Sequence, residues 1–319
     1  MINQNSSSIK WLATLRGIFV LLVFVSHELT PIVNKDILLA VGKIGVAGFF
    51  LISGYLAKTS IEKRNIKQFL FNRFVRLYPV YWILLLLSVF TSIITHDRIW
   101  SVYEILANMT FFHQYMGFEN IIGSSWMLSI MVIFFVSIVL IVKKTSKADL
   151  LFLIFAIGAV VCGYLRFHFL KPFPTAIFLM TCMGIFGFHY HKYGFCKKNI
   201  FNLILFEITL AISAYLSYQD KILFYEIAYN GAFLLFFLFS VKNIGMGIFD
   251  KLGQLGFTFF LGAGIPSALW IYAFPSLKLN FGLFFIIHFV LCILFSWFVT
   301  KFIENPIIQR AKELEKRIK

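Results

Sequence analysis

The chain has 319 residues, of which 60% are hydrophobic and only 13% charged, with a net charge of +15. Soluble domains carry about a quarter charged residues, so this composition excludes one and points to a multi-pass membrane protein. The basic excess lies in short clusters between apolar runs, the pattern of cytoplasmic loops rather than of a nucleic-acid-binding face.

A spanning helix needs about 20 mostly apolar residues. The stretches that meet this are 11–33, 38–57, 77–95, 126–142, 149–165, 172–191, 200–218, 222–241, 252–274 and 280–303. The expected fold class is all-α, an integral membrane bundle of about ten transmembrane helices. Lys10 ahead of a long first stretch reads as an uncleaved span rather than a secretory signal. The whole chain, 1–319, reads as a single membrane domain with a cytoplasmic tail over 304–319. No repeat, low-complexity run or separate soluble domain interrupts it.

Alternate loops differ in charge. Of the 29 Lys and Arg residues, 21 fall on one set of loops and six on the other, while Arg16 and Lys43 lie inside spans. The positive-inside rule then places both termini in the cytoplasm, at the inner membrane of the cell. The loop 96–125, with Trp100, Tyr103, His113, Tyr115 and Glu119, is expected to lie along the outer surface as an amphipathic segment. Four cysteines, Cys162, Cys182, Cys196 and Cys292, have no metal or redox spacing and read as small core residues.

Arg16 and His27 stand eleven residues apart in the first span. That spacing is about three helical turns, or about 16 Å, and puts both on one face. Ionisable groups within a membrane helix are costly and usually functional. A neutral imidazole is the side chain best suited to removing a hydroxyl proton near neutral pH. Glu28 follows His27 directly, although adjacent helix positions point about 100° apart.

In the second span, the run Gly45 to Tyr55 is rich in small residues that let helices approach closely, with Ser53 as a weak nucleophile candidate. Before the third, Ile66 to Tyr81 interleaves basic and aromatic residues. Arg73 and Arg76 share a helix face suited to phosphate, and Pro79 is expected to break the chain before the span. His288 lies in the last span; no histidine pair has metal-site spacing, so no metal is expected.

Taken together these elements resemble the membrane acyltransferase family 3 proteins, which acylate sugars and related acceptors. LRGIFVLLVFVSH (Leu15 to His27) is similar to that family's Arg–x10–His element. GVAGFFLISGYL (Gly45 to Leu56) resembles its second-span motif, and RFVRLYPVYW (Arg73 to Trp82) its arginine-rich turn. SSWML (Ser124 to Leu128) resembles the start of its fourth span, and FIENPI (Phe302 to Ile307) its closing element. The chain departs from the pattern at Met131, where many members carry Glu, and at Gly262 and Ala263, where many carry Trp-His.

The resemblance implies an O-acyltransferase with acetyl-CoA as cytoplasmic acyl donor and a hydroxyl of a surface polysaccharide or lipid-linked sugar as acceptor. It implies His27 and Arg16 as catalytic residues, with Arg73 and Arg76 for the phosphates of coenzyme A. Glu28, Ser53, Glu304 and His288 are supporting candidates. Membrane lipids and glycan-synthesis proteins are the expected partners. Two other functions compete: a polysaccharide transporter or flippase, suggested by glycines and Pro266 in the ninth span, and a non-catalytic scaffold.

Overall fold

The computed structural model describes residues 4–141, 146–274 and 280–318, within which every regular element is helical. Lys143, Lys144, Lys278 and Lys319, used above to orient the chain, lie outside the described residues. The helices run in the order α1 (Gln4–Glu28), α2 (Lys35–Glu62), α3 (Ile66–Ile94), α4 (Val102–Met109), α5 (Trp126–Ile141), α6 (Ser146–Phe169) and α7 (Thr175–Tyr193). Then follow α8 (Lys197–Tyr218), α9 (Ile222–Lys242), α10 (Gly247–Gln254), α11 (Gly256–Gly262), α12 (Gly264–Ala273), α13 (Phe281–Val299) and α14 (Asn305–Glu315).

Among the described residues, seven stretches are long and apolar enough to cross a membrane, and one of them, Lys197–Lys242, holds α8 and α9 in succession. α11 and α12 make an eighth only as one span bent by 45°. The stretch expected over 172–191 forms α7, which is not among the seven. Its composition has a physical reason. Every residue from Leu179 to Tyr190 is buried, so α7 faces protein rather than lipid and tolerates its Thr, Gly and His residues.

Two expected boundaries are corrected. α1 ends at Glu28 rather than near 33, because Pro31 lacks an N–H and disfavours helix in the residue before it. Pro79 does not break the chain: α3 runs unbroken from Ile66 to Ile94. In a long membrane helix, neighbouring groups compensate for the single backbone bond that proline removes.

The chain divides into two compact units, each interleaved in sequence. The first comprises the chain up to Ile66 and Ile130–Gly253. Here α2 is packed against α1, α7 and α9, and α6 against α7 and α8. The crossing of α2 and α7 depends on glycine. A methyl group on Gly54 would overlap the Gly184 carbonyl, and one on Gly187 would overlap the Leu51 carbonyl. Without a hydrophobic drive between helices in lipid, such close backbone contact supplies the packing energy. α1 is seated on α10: Thr14 Oγ1 donates to Asp250, and Met246 N donates to Thr14 Oγ1 at 2.9 Å.

The second unit comprises Lys67–Ser129 and Gln254–Lys319. Tyr81 Oη and Trp82 Nε1 of α3 donate to the carbonyls of Asn108 and Met109, each at 3.0 Å, which fastens the end of α4 to the helix. α4 carries a capping box between Ser101 and Glu104. Its Ala107 and Asn108 are buried, while Val102, Tyr103 and Leu106 are exposed, the amphipathic division expected for this loop. Thr258 of α11 hydrogen-bonds Thr300 at 2.8 Å. Within the stretch 304–319, expected as a tail, Asn305–Glu315 forms the helix α14. Gln68 Nε2 donates to the Ile318 carbonyl at 3.0 Å and Asn72 Nδ2 to Glu315 Oε2 at 3.2 Å.

Candidate active site

Arg16 and His27 both lie on α1, in the first unit. Thr14 and Gly17, on either side of Arg16, are the residues that α10 contacts: a methyl group on Gly17 would overlap the Phe249 carbonyl. Arg16 itself is half-buried. Three turns on, Ser26 is buried against Gly42 of α2 and donates to the Val23 carbonyl at 2.7 Å. His27 occupies the last turn of α1, and its carbonyl accepts from Thr30 Oγ1 at 3.1 Å.

The side chain of His27 is exposed, not buried as its place in an apolar span suggested. The early end of α1 explains this, since the imidazole stands at a helix terminus instead of mid-span. Neither of its ring nitrogens has a hydrogen-bond partner among the described residues. The imidazole is therefore accessible as a proton acceptor.

The remaining candidates divide between the units. In the first, Glu28 is half-buried beside His27, and Ser53 lies in α2 with no hydrogen bond to a histidine or carboxylate among the described residues. Ser53 therefore lacks the neighbouring base an activated hydroxyl needs. Instead, the histidine near this end of α2 is His191, whose Nε2 lies 3.0 Å from Thr59 Oγ1 and whose ring meets Tyr55 edge-on at 4.5 Å.

In the second unit, Arg73 and Arg76 occupy the early turns of α3. Arg73 is half-buried with its guanidinium 5.1 Å from the centre of the Phe69 ring, and Arg76 is exposed. Asn72, between them and Gln68, ties this segment to α14. Glu304 accepts from Thr300 Oγ1 at 3.3 Å in a widened helical turn that joins α13 to α14, with Pro306 just beyond. His288 is buried, and its Nε2 donates to the Ala263 carbonyl at 3.2 Å. Cys292 Sγ reaches the same oxygen at 3.5 Å. His288 is thus a staple of the bend between α11 and α12.

Sequence reasoning missed His113. It is fully buried, with Nε2 at 2.5 Å from Asn120 Oδ1 and 3.4 Å from Ser125 Oγ. Its Nδ1 is buried with no hydrogen-bond partner among the described residues. Burial lowers its pKa, partly opposed by the bond to Asn120. No periodic signal joins these three residues, because an irregular loop brings them together. On the same loop Arg98 pairs with Glu104 at 2.6 Å and with Glu119, and stacks 4.0 Å from Trp100. The backbone N–H and hydroxyl of Ser101, followed by Arg98, hold the Glu104 carboxyl below the ordinary carboxylate range.

No curated protein and no solved structure matches the chain significantly. The family model described as an acyltransferase domain (Acyl_transf_3) matches residues 9–301, which include the helix with Arg16 and His27, the arginines of α3 and the bend at Ala263. On that match over most of its length, the chain belongs to acyltransferase family 3.

Proposed function

We propose that this protein is a ten-span integral-membrane O-acyltransferase with both termini in the cytoplasm. It moves an acyl group, in the simplest case acetyl, from acyl-CoA to a hydroxyl of a lipid-linked or surface glycan. The observation that carries this reading is His27: an exposed imidazole with no ring partner among the described residues, three turns from Arg16 on one helix of an acyltransferase-family chain. As general base, His27 takes the acceptor hydroxyl proton while that oxygen attacks the thioester carbonyl. The carbon–sulfur bond breaks and the thiolate leaves, to be protonated by the imidazolium. A transient acyl-imidazole formed by direct attack of the ring nitrogen is the other route open to the same residue. Arg73 and Arg76 are the groups suited to the phosphates of coenzyme A, by their spacing and partial exposure.

The test is expression of wild type, His27→Ala and His27→Gln at equal membrane levels in a host lacking this gene. Ester-linked acetate on purified surface polysaccharide is then measured by NMR. Acetate in wild type alone supports the reading; equal acetate in all three refutes the role of His27. The 45° bend at Gly262–Gly264 favours a second reading, transport of a glycan or its precursor, since broken helices line substrate paths in transporters. That reading requires translocation without any acyl ester on the product.

A further inference from the structure

Within the second unit, the chain that leaves α3 turns back along it. Trp100 Nε1 donates to Ser92 Oγ at 3.3 Å, close to the Ile94 end of α3. Further on, at the end of α4, the carbonyls of Asn108 and Met109 accept from Tyr81 and Trp82. The ring of Phe111 then lies 4.3 Å from that of Tyr78 and 4.5 Å from that of Tyr81, centre to centre. The contacts on α3 fall from Ser92 to Tyr78 while the chain advances from Trp100 to Phe111, so α4 runs antiparallel to α3. Tyr81 stands thirteen residues from Ile94, or about 20 Å along the helix. Since α3 is long and apolar enough to cross a membrane, a segment lying on the surface would meet only its last turns.

The composition of the segment suits that depth. Irregular backbone inside a membrane needs its polar groups satisfied by protein or by enclosed water. Asn108, fully buried, serves both limbs of the hairpin. Its Nδ2 donates to the carbonyls of Glu104 at 2.9 Å and Glu119 at 3.0 Å, and its Oδ1 accepts from Ile121 N at 3.1 Å. Phe111, fully buried with a φ of 68°, marks the reversal. One face of the segment is apolar and exposed, with Ile99, Val102, Tyr103 and Leu106. The other edge is polar: Gln114 is exposed, and the side chain of Glu119 is 72% exposed although it pairs with Arg98. The backbone of Glu119 is level with Asn108, well below the Ile94 end of α3. A charged side chain at such a depth is costly against lipid and stands where water reaches it. Beside it lies the buried His113, bonded to Asn120.

We infer that residues 99–122 form a re-entrant segment that dips into the membrane from the Ile94 end of α3. Its apolar face lies against lipid chains, and its polar edge lines a water-filled inlet that admits a polar acceptor. Arg98 bridges Glu104 of the descending limb and Glu119 of the returning limb, which closes the hairpin near its mouth. In the orientation proposed above, the inlet opens on the outer side, away from Arg73 and Arg76. Resting on the acyl-transfer reading, it brings a hydroxyl-bearing acceptor into the membrane interior while the acyl donor approaches from the opposite side.

Depth is measured by electron paramagnetic resonance on full-length protein in phosphatidylcholine liposomes. Nitroxides are attached singly to Leu86→Cys, Ile93→Cys, Ile99→Cys and Leu106→Cys, all at exposed positions, in a background with Cys162→Ser and Cys196→Ser. Relaxation by oxygen, relative to that by a water-soluble nickel chelate, rises with depth. The label at Leu106 should match the one at Leu86, at mid-helix, and exceed those at Ile93 and Ile99 severalfold in this ratio. A value at Leu106 equal to those at Ile93 and Ile99 places the segment on the surface and overturns the inference. The inlet is tested with a charged, membrane-impermeant thiosulfonate added to right-side-out vesicles. Gln114→Cys and Glu119→Cys should react and Leu106→Cys should not. Gln114→Cys leaves the Arg98 pairs intact, so its reaction decides even where Glu119→Cys folds poorly. Reaction of Gln114→Cys only in inverted vesicles overturns the outward opening, and reaction from neither side overturns the inlet. Neither readout depends on turnover, so this segment stands or falls separately from the role of His27 in acyl transfer.

Discussion

The hydrogen bond between Asn72 and Glu315 lends itself to a quantitative test, because it ties the arginine-bearing start of α3 to the last helix. Asn72 is 8% exposed and Glu315 9%, and the amide nitrogen lies 3.2 Å from the carboxylate oxygen. Bonds to charged groups contribute about 1.5–3 kcal/mol, and truncating one buried partner adds the desolvation cost of the other. Asn72→Ala should therefore destabilise the second unit by about 2 kcal/mol, a shift of up to roughly thirtyfold in its folding equilibrium. Glu315→Ala should cost a similar amount. The double variant should cost less than the sum of the two, with a coupling of about 1–2 kcal/mol, within the range found for contacting pairs. The assay is reversible unfolding of detergent-solubilised protein in SDS, followed by helical circular dichroism. Single effects that add to within about 0.5 kcal/mol would show that the two residues do not interact, and would remove the argument that α14 positions Arg73.

Three further outcomes are expected. Gly54→Ala drives a methyl group into the Gly184 carbonyl and should lower stability by about 1–3 kcal/mol, with reduced yield of folded protein, while Gly247→Ala, in open space, should change neither. The loop around His113 should weaken in acid. Its pKa is lowered by burial, so its stabilising effect is full above the ordinary value of 6.5 and falls as pH drops through the lowered folded value. Protease cleavage within 98–125 should accelerate below that pH in wild type, and an unchanged pH dependence in His113→Gln would refute this. Glu104 has the same sign at lower pH: its contribution is full above 4.5 and is lost as pH falls through the depressed folded value. The fluorescence difference between wild type and Trp100→Phe, which reports the Arg98 stack, should change over that range and be flat in Glu104→Gln.

Class, family and most helices were legible from the chain alone, because membrane spans announce themselves by length and apolarity and the motifs retain their order. Arg16 and His27 share a face of α1 by helical geometry, which needs no tertiary information. The fate of their side chains was not legible. His27 is exposed because Pro31 ends α1 early. α7 escapes a hydropathy criterion because it is enclosed by protein, a property of its neighbours rather than of its own residues. His113 meets Asn120 and Ser125 through an irregular loop whose path no period encodes. Local periodicity is written into consecutive residues and can be read directly. Contacts between distant residues depend on which helices approach closely, and here glycines such as Gly54 and Gly184 set that approach only when their helices are already packed together.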